Sequence, residues 1–154
     1  MSTKVDTKLL DRIIDRAEKG SVTARVGYFE DSGRHPRTKK TAADIARINN
    51  NGDTKSNIPE RPWVTDGAFE GEFPTHREMR KYYERFVTGE LDLKESLRRA
   101  AQEQKFRILQ KYDEAPAIYA NNRPSTIEKK GFDMALFDTG WLQDKIDVKV
   151  YEGE

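Results

Sequence analysis

Two histidines, a few carboxylates and one serine are the residues of this chain that could take part in catalysis or metal binding. His35 and His76 lie in unrelated segments, and neither is followed by a second ligand four residues later, as in the metal motifs of helices. The segment 138–140, Asp-Thr-Gly, lacks the glycine-rich loop and lysine of a phosphate site, so its residue types favour a turn. Ser125 has no histidine and acid in a pattern that would make it a nucleophile. We therefore expect no catalytic residue, no metal and no cofactor, and hence no enzyme.

The segment 30–40 is the strongest candidate for binding. Its cations are Arg34, Arg37, Lys39 and Lys40. Such a cluster can contact DNA phosphates or an acidic protein surface, and the absence of aromatic residues disfavours base stacking. The segment also has no aliphatic residue, so we expect a flexible, extended basic loop that is either solvated or ordered by a partner.

Arg61, Trp63 and Trp141 are further candidates for contacts. Pro59 and Pro62 restrict the loop before Trp63, so this side chain can be presented to a core or to a partner at low entropic cost. The planar guanidinium of Arg61 can hold loop carbonyls or a carboxylate. For Trp141, as for Trp63, both a core position and a partner contact remain open.

The composition describes a highly charged chain with almost no net charge. Its 154 residues have the length of one domain, with 36% charged and 35% apolar residues. The 28 Lys and Arg nearly balance the 27 Asp and Glu, so no overall attraction to nucleic acid or to an anionic membrane is expected. Cysteine is absent, which excludes disulfides and thiolate chemistry. Without a long apolar run or a signal-like start, we expect synthesis in the cytoplasm and no membrane partner.

The charges are unevenly distributed along the chain. The segment 77–111 contains ten Lys or Arg and six Asp or Glu, whereas the segment 138–154 contains five acidic and two basic residues. Surfaces of opposite sign on one subunit would suit head-to-tail contacts in a ring. An ordinary mixed surface is an equally open interpretation.

Helix and strand signals alternate along the first third of the chain. Apolar residues recur on one face of 4–19, with charged residues on the other, which predicts an amphipathic helix ending at Gly20. The apolar positions of this helix are Leu9, Leu10, Ile13, Ile14 and Ala17. The alternation over 21–29 predicts a strand. Thr41 is expected to cap a second helix, which closes at the Asn-Asn-Asn-Gly sequence 49–52.

The remaining segments predict further helices and a closing strand. In chain order these are a helical stretch over 63–88 interrupted at 71–74, a longer helix over 92–112, a short third strand near 117–119, a helical turn over 125–130 capped by Ser125, a tight turn at 139–140 and a strand over 146–151. The expected fold is therefore α+β: a small antiparallel β-sheet packed by helices on one face, with a long helix and an extended basic loop, in a single domain over 1–154.

Three motifs occur in an order that resembles a known family. They are Ile-Pro-Glu-Arg-Pro-Trp at 58–63, Ser-Thr-Ile-Glu-Lys-Lys-Gly at 125–131, and Leu-Phe-Asp-Thr-Gly-Trp-Leu at 136–142. Together with the helix that ends at 49–52 and the last strand, this set resembles the tail-completion or neck proteins of tailed bacteriophages, also called virion morphogenesis proteins. The likeness spans roughly 41–150. Trp141 departs from the pattern, since the family more often has a charged or polar residue there.

The resemblance implies a structural virion protein, made in the host cytoplasm and located in the neck or collar. Such a subunit forms a homo-oligomeric ring, with twelve copies favoured and six as the alternative, and joins the head connector to the tail. The implied partners are the portal-proximal connector ring, the tail terminator or the tail tube and sheath proteins, and DNA in the neck channel. The alternatives are a tail-terminator ring protein and a small nucleic-acid-binding module. The isoelectric point of 7.9 disfavours the nucleic-acid-binding module.

Overall fold

A computed structural model describes residues 20–69 and 72–153, together with positions 11, 14, 15 and 18, and with backbone only at 72–76 and 78. The described chain is α+β, as the sequence predicts, with one antiparallel pair of strands and five α-helices. The strands are β1 (Val22–Tyr28) and β2 (Ile146–Glu152). The helices are α1 (Ala42–Asn51), α2 (Trp63–Phe69), α3 (Glu72–Val87), α4 (Leu93–Ile118) and α5 (Pro124–Lys130). The helix predicted over 4–19 lies almost entirely outside the described residues.

The two strands have one apolar face and one charged face. Val26 pairs with Val148, and Tyr28 pairs with Ile146, on the face that packs against the core. On the other face Arg25 lies directly opposite Lys149, an arrangement of like charges that destabilises a sheet. Lys149 also forms an ion pair with Asp31, and this attraction offsets the repulsion between Lys149 and Arg25. The alternation read from the sequence therefore gives the correct strands and the correct inward residues.

Trp63 is the centre of the core. Its side chain is completely buried at the start of α2, and its ring meets Tyr28 of β1 and Tyr112 of α4 edge to face, at centroid distances of 6.2 Å and 5.9 Å. Aromatic pairs in this arrangement add about 0.5–1.5 kcal/mol each beyond burial of area. Ile108 of α4 and Ile146 of β2 complete the fully buried set. A single residue thus connects the sheet to two helices.

Helices α2 and α4 cross at unusually close range because Gly67 has no side chain. A Cβ atom at this position would lie 2.6 Å from the Cα atom of Ile108 and 3.0 Å from the carbonyl oxygen of Arg107. Both are backbone atoms of α4, so no side-chain rotation can relieve the contact. The glycine is therefore a packing requirement of the fold.

Helix α1 is fixed at both ends as the sequence predicts. The Thr41 hydroxyl accepts a hydrogen bond from the Asp44 amide at 3.1 Å and donates one to the Asp44 carboxylate at 2.8 Å. Gly52 follows the helix at φ 69°, a conformation that favours glycine. The sequence did not reveal that Asn50 also caps α2, where its side-chain oxygen accepts from the Val64 amide at 3.0 Å.

Four predictions about the helices and strands are wrong. The predicted interruption at 71–74 does not extend over 72–74, because helix α3 begins at Glu72 and Pro74 lies in its first turn, where its missing N–H costs nothing. Residues 70 and 71, between α2 and α3, lie outside the described residues. Helix α4 continues past 112, because Pro116 loses only its own bond and Tyr119 N still donates to Ala115 O at 3.0 Å. The residues of the expected third strand thus end this helix, and the sheet has two strands. Ser125 does not cap α5, which starts at Pro124 without a side-chain cap.

The charge separation along the chain is partly neutralised inside the subunit. Helix α4 packs against β2, and this brings Lys94 to 2.6 Å from the Glu152 carboxylate and Lys105 to 4.0 Å from that of Asp147. The basic helical region and the acidic C-terminal segment are therefore neighbours in one chain rather than separate surfaces. Head-to-tail contacts can no longer be inferred from these two segments.

The close helix crossing predicts a large effect of a small substitution. Gly67→Ala should lower the free energy of unfolding by about 1–3 kcal/mol, because the added methyl group forces the backbones of α2 and α4 apart. Alanine's better helix propensity, about 1 kcal/mol, acts in the opposite direction. Urea unfolding followed by circular dichroism measures the difference. Gln102→Ala, on an exposed position of α4, is the control and should change stability by less than about 0.5 kcal/mol. Equal stability of Gly67→Ala and the wild type would contradict this account of the crossing.

Candidate interaction site

The backbone of the basic segment closes on itself through hydrogen bonds. Arg34 and Thr41 form an isolated antiparallel bridge, and His35 N donates to Lys40 O at 2.9 Å. Inside this closure, Lys39 N donates back to His35 O at 2.9 Å. The backbone therefore closes a compact loop, called the basic loop below, over 34–41.

Side chains of the basic loop hold it against the turn at 138–141. Arg37 forms an ion pair with Asp138, although 101 positions separate them in the sequence. The His35 ring meets Trp141 edge to face at 5.0 Å. The Nδ1 atom of His35 accepts from the amides of Arg37 and Thr38 at 3.3 Å each. The loop buries an aromatic contact after all, which its lack of aliphatic residues had not suggested.

A pocket of about 280 Å³ lies between the basic loop, α1 and the 136–142 segment. Its apolar walls come from Ile45, Ile48, Ile58, Tyr112, Leu136, Trp141 and Leu142. His35, Lys40 and Asp138 are polar residues in its lining. Mainly apolar walls with a few polar groups are the usual construction of a binding pocket. We call this pocket together with the basic loop the loop–turn site.

Backbone strain in the described chain is concentrated at this site. Among the described residues, those with positive φ other than glycine are Lys39 (59°), Asn57 (54°) and Leu136 (64°). Leu136 lines the pocket, Asn57 precedes the lining residue Ile58, and Lys39 lies within the basic loop. For a bulky residue such as Leu this conformation is a genuine outlier, and such strain clusters at functional sites.

Tyr112 holds the strained residue in place. Its hydroxyl donates to the carbonyl oxygen of Leu136 at 3.0 Å, and its ring packs in the core against Trp63. Burial raises the pKa of Tyr112 far above its ordinary value, so the hydroxyl remains a donor at any physiological pH. The core and the pocket wall therefore share one side chain.

The cations of the basic loop differ in how far they are engaged. Arg37 is bound to Asp138, and the Arg34 guanidinium donates to Lys39 O at 3.0 Å. Lys39 and Lys40 are exposed. Hydrogen bonding from Ser56 lowers the pKa of Asp53, with a smaller contribution of the same sign from Lys40. All four predicted cations are thus exposed, and Lys40 is the one among them that lines the pocket.

Arg61 is a buried connector. It is 5% exposed, and its guanidinium donates from Nε to Ala120 O at 2.9 Å and from Nη2 to Asn121 O at 3.1 Å. Burial lowers its pKa, and Asp133 opposes that shift. The planar guanidinium of Arg61 therefore binds loop carbonyls, as the sequence predicted. These hydrogen bonds connect the 58–62 loop to the segment that follows α4.

The three further candidates therefore have different surroundings. Arg61 and Trp63 are both buried in this chain. They therefore affect the surface only through the conformation of the segment that carries them. Trp141 is half-buried beside the pocket, and Lys145 lies 5.6 Å above its ring. Gly140, at φ 76°, forms the expected turn before it. Trp141 is thus the tryptophan that lies at the loop–turn site.

Two further observations on the described residues concern metal binding and membrane-spanning helices. Among the described residues, no three His, Cys, Asp or Glu side chains come together as metal ligands would. No helix in the same part of the chain combines the length and the apolar character needed to cross a bilayer.

The two hydrogen bonds from the Arg61 guanidinium to backbone carbonyls predict that substitution of Arg61 lowers stability. Arg61→Lys should lower the free energy of unfolding by about 1–3 kcal/mol, because a lysine cannot donate to both carbonyls and its buried ammonium keeps fewer hydrogen bonds. Thermal and urea unfolding measure the change. Arg123→Lys, an exposed position next to the same segment, is the matched control and should be nearly neutral. Indistinguishable effects of the two substitutions would refute the role given to the fork.

The positive φ of Lys39 predicts that glycine substitutions at Lys39 and at Lys40 differ in their effect on stability. Lys39→Gly removes the cost of a left-handed side-chain-bearing residue, whereas Lys40→Gly only adds freedom to the unfolded chain. Both variants lose one positive charge. We expect Lys39→Gly to be about 1 kcal/mol more stable than Lys40→Gly in urea unfolding. Should Lys39→Gly be the less stable of the two, the strain at this position would not be real.

Comparison with protein families, with curated proteins and with solved structures finds no match to this chain. The motifs at 58–63 and 136–142 nevertheless meet in the structure. The first supplies Ile58 to the pocket and Arg61 to the loop beside it, and the second supplies Leu136 and Trp141.

Proposed function

We propose that this protein is a structural virion subunit of a tailed phage, a neck or tail-completion protein that forms a ring and joins the head connector to the tail. The observation that carries the proposal is the loop–turn site: an apolar pocket beside the basic loop, with Leu136 in its lining at positive φ. A preformed apolar pocket at the surface suits stable contact with another protein.

The chemistry of the site indicates which surface would bind there. An apolar side chain of a neighbouring ring subunit or connector fills the pocket, and carboxylates beside it meet Lys39 and Lys40. The mostly apolar walls supply affinity, while the exposed lysines supply orientation and encounter rate. Trp141, a departure from the family pattern, forms one wall of the pocket and would adapt it to the partner in this virion.

The ring expected from the resemblance does not depend on the charge separation along the sequence. Lys94 and Lys105 are paired with acidic residues of β2, so we place the heterologous contact at the loop–turn site instead. A pocket on one copy and a protruding apolar residue on the next would form a head-to-tail contact that closes into a ring. Twelve copies match the portal, and six match the tail tube.

The nucleic-acid alternative rests on the same loop but is weaker. All four cations of the basic loop are exposed, but Arg37 is paired with Asp138 and Arg34 donates to the loop backbone. Lys39 and Lys40 on a chain of net charge +1 give little phosphate affinity at physiological salt. DNA in a neck channel would at most be a secondary contact.

Charge reversal at the rim tests the proposal. In the double variant Lys39→Glu/Lys40→Glu, assembly into rings, alone or on the connector, should fall at least tenfold, because the pocket then repels acidic partners. Sedimentation velocity gives the oligomer distribution, and electron microscopy gives the copy number. Circular dichroism should show an unchanged fold.

The matched control is Lys55→Glu/Lys129→Glu, which changes the net charge equally at exposed positions away from the pocket. It should assemble like the wild type. A protein that stays monomeric both alone and with the connector would contradict the ring proposal. Duplex DNA binding that survives physiological salt and is lost in Lys39→Glu/Lys40→Glu would favour the nucleic-acid module.

A further inference from the structure

Arg61 keeps one end of its guanidinium unpaired, although only 5% of the residue is exposed. Arginine carries N–H donors on Nε, Nη1 and Nη2. Nε donates to Ala120 O, and Nη2 donates to Asn121 O and, at 3.4 Å, to Asn122 Oδ1. The N–H groups of Nη1 have no partner among the described residues. Buried charged groups are normally paired, so these donors are available to an acceptor from outside the chain.

The unpaired donors lie at a pocket beside the loop–turn site. This pocket has a volume of about 350 Å³ and lies between the segments 56–61 and 122–126, with Arg61 in its lining. Nη1 of Arg61 is not among the enclosed atoms without a partner, so solvent reaches it. The Nδ2 atom of Asn122, another lining residue, is buried and has no partner among the described residues. Arg61 and Asn122 therefore both bring unpaired N–H donors to the wall of this pocket.

The rest of the lining adds a second positive charge and hydroxyl groups. Arg123 is exposed in the lining, and its guanidinium forms no ion pair with a described residue. Ser56, Ser125 and Thr126 also line the pocket. Ser56 donates to Asp53, so the hydroxyls of Ser125 and Thr126 are the ones that remain available. None of the described residues in this lining is Asp or Glu.

The charges around the pocket leave a small positive surplus. Burial lowers the pKa of Arg61, and the charge of Asp133 acts against that shift. Asp133 forms no ion pair with Arg61; its carboxylate accepts from the amide of Asn122 at 3.1 Å. Burial also lowers the pKa of Lys130, where the positive charge of Arg61 acts in the same direction and Asp138 opposes it. A ligand with a single negative charge matches this surplus better than a dianion does.

A carboxylate on a short apolar stem matches both the donors and the walls. The planar guanidinium fits the two oxygens of a carboxylate, and hydroxyl groups add further donors. Ile58, Pro59 and Leu136 supply apolar walls beside these donors. Glutamate and aspartate side chains combine one negative charge with such a stem, so they have the chemistry that this pocket would recognise.

We propose that this pocket, called the Arg61 pocket below, binds the carboxylate of a glutamate or aspartate side chain of a protein partner. The carboxylate accepts from Nη1 of Arg61 and from the guanidinium of Arg123. That its bearer is a protein rests on the proposed contact at the loop–turn site, with which the Arg61 pocket shares Asn49, Ile58 and Leu136. Binding of the carboxylate itself does not depend on ring formation.

Nuclear magnetic resonance of the isotope-labelled full chain tests the pocket with a minimal probe. The side-chain Nε–H signal that is lost in Arg61→Lys identifies Arg61. At constant ionic strength, the α-amide of N-acetylglutamic acid should shift this signal to saturation. The neutral α-amide of N-acetylglutamine, which has nearly the same shape, should bind at least about tenfold more weakly.

Two results would overturn the proposal. Equal binding of the two probes, or a shift that never saturates, would show that the Arg61 donors are simply hydrated. Tighter binding of inorganic phosphate than of the glutamate probe would show that the carboxylate is the wrong ligand class.

Arg123→Ala separates binding from folding, because this position is exposed. The variant should bind the glutamate probe about fivefold more weakly or worse, with unchanged thermal unfolding. Lys129→Ala is the matched control, since it removes an exposed cation of α5 that does not line the pocket, and it should bind like the wild type. An equal loss of affinity in both variants would mean a general charge effect and would contradict the role of Arg123.

The same titration distinguishes a failure of this proposal from a failure of the ring proposal. Lys39→Glu/Lys40→Glu leaves the lining of the Arg61 pocket intact, so it should bind the glutamate probe even where ring assembly is lost. Probe binding by a protein that stays monomeric would support the Arg61 pocket and contradict the ring alone. Rings formed by a protein that does not bind the probe would contradict the Arg61 pocket alone.

Discussion

The contact of Trp63 with Tyr28 and Tyr112 is the interaction on which the rest of the structure depends. A two-stranded sheet is marginal alone, and here it is stabilised through Tyr28 by an aromatic residue that belongs to a helix. Tyr112 carries the same contact into α4 and then, through its hydroxyl, to the carbonyl of Leu136. The loop–turn site is therefore built directly on the core. Removal of a fully buried large aromatic residue costs about 3–5 kcal/mol, a large part of a typical domain's stability.

Helix α4 turns this core into a scaffold. It packs against both strands, meets α2 through the glycine at 67, and continues past Pro116 until Tyr119. Its length matters for function because the carbonyls after its end are the acceptors for Arg61. The loop that supplies Ile58 to the pocket is thus positioned by the far end of the longest helix, and a shorter helix would leave that loop without an anchor.

The sequence predicted the local features of this fold well and the long-range ones poorly. Strand alternation, the Thr41 cap and the turn at Gly140 are decided by neighbouring residues, and they are confirmed. The pairing of Arg37 with Asp138 joins positions 101 apart, and no periodicity or composition reports it. The same pair holds the basic loop against the turn at 138–141, which the loop's own sequence does not indicate. Helix α4 extends beyond its predicted end at 112, and Pro116 lies in its last turn, which tolerates the loss of one hydrogen bond.

The loop–turn site is shaped by contacts within the chain. Its backbone closes on itself, Arg37 is paired with Asp138, and Tyr112 holds the carbonyl of Leu136, whose φ is positive. Strain of this kind persists only where the fold over-determines it, so the site is shaped before any partner arrives and loses little entropy on binding. A preformed pocket of this kind suits recognition of another protein.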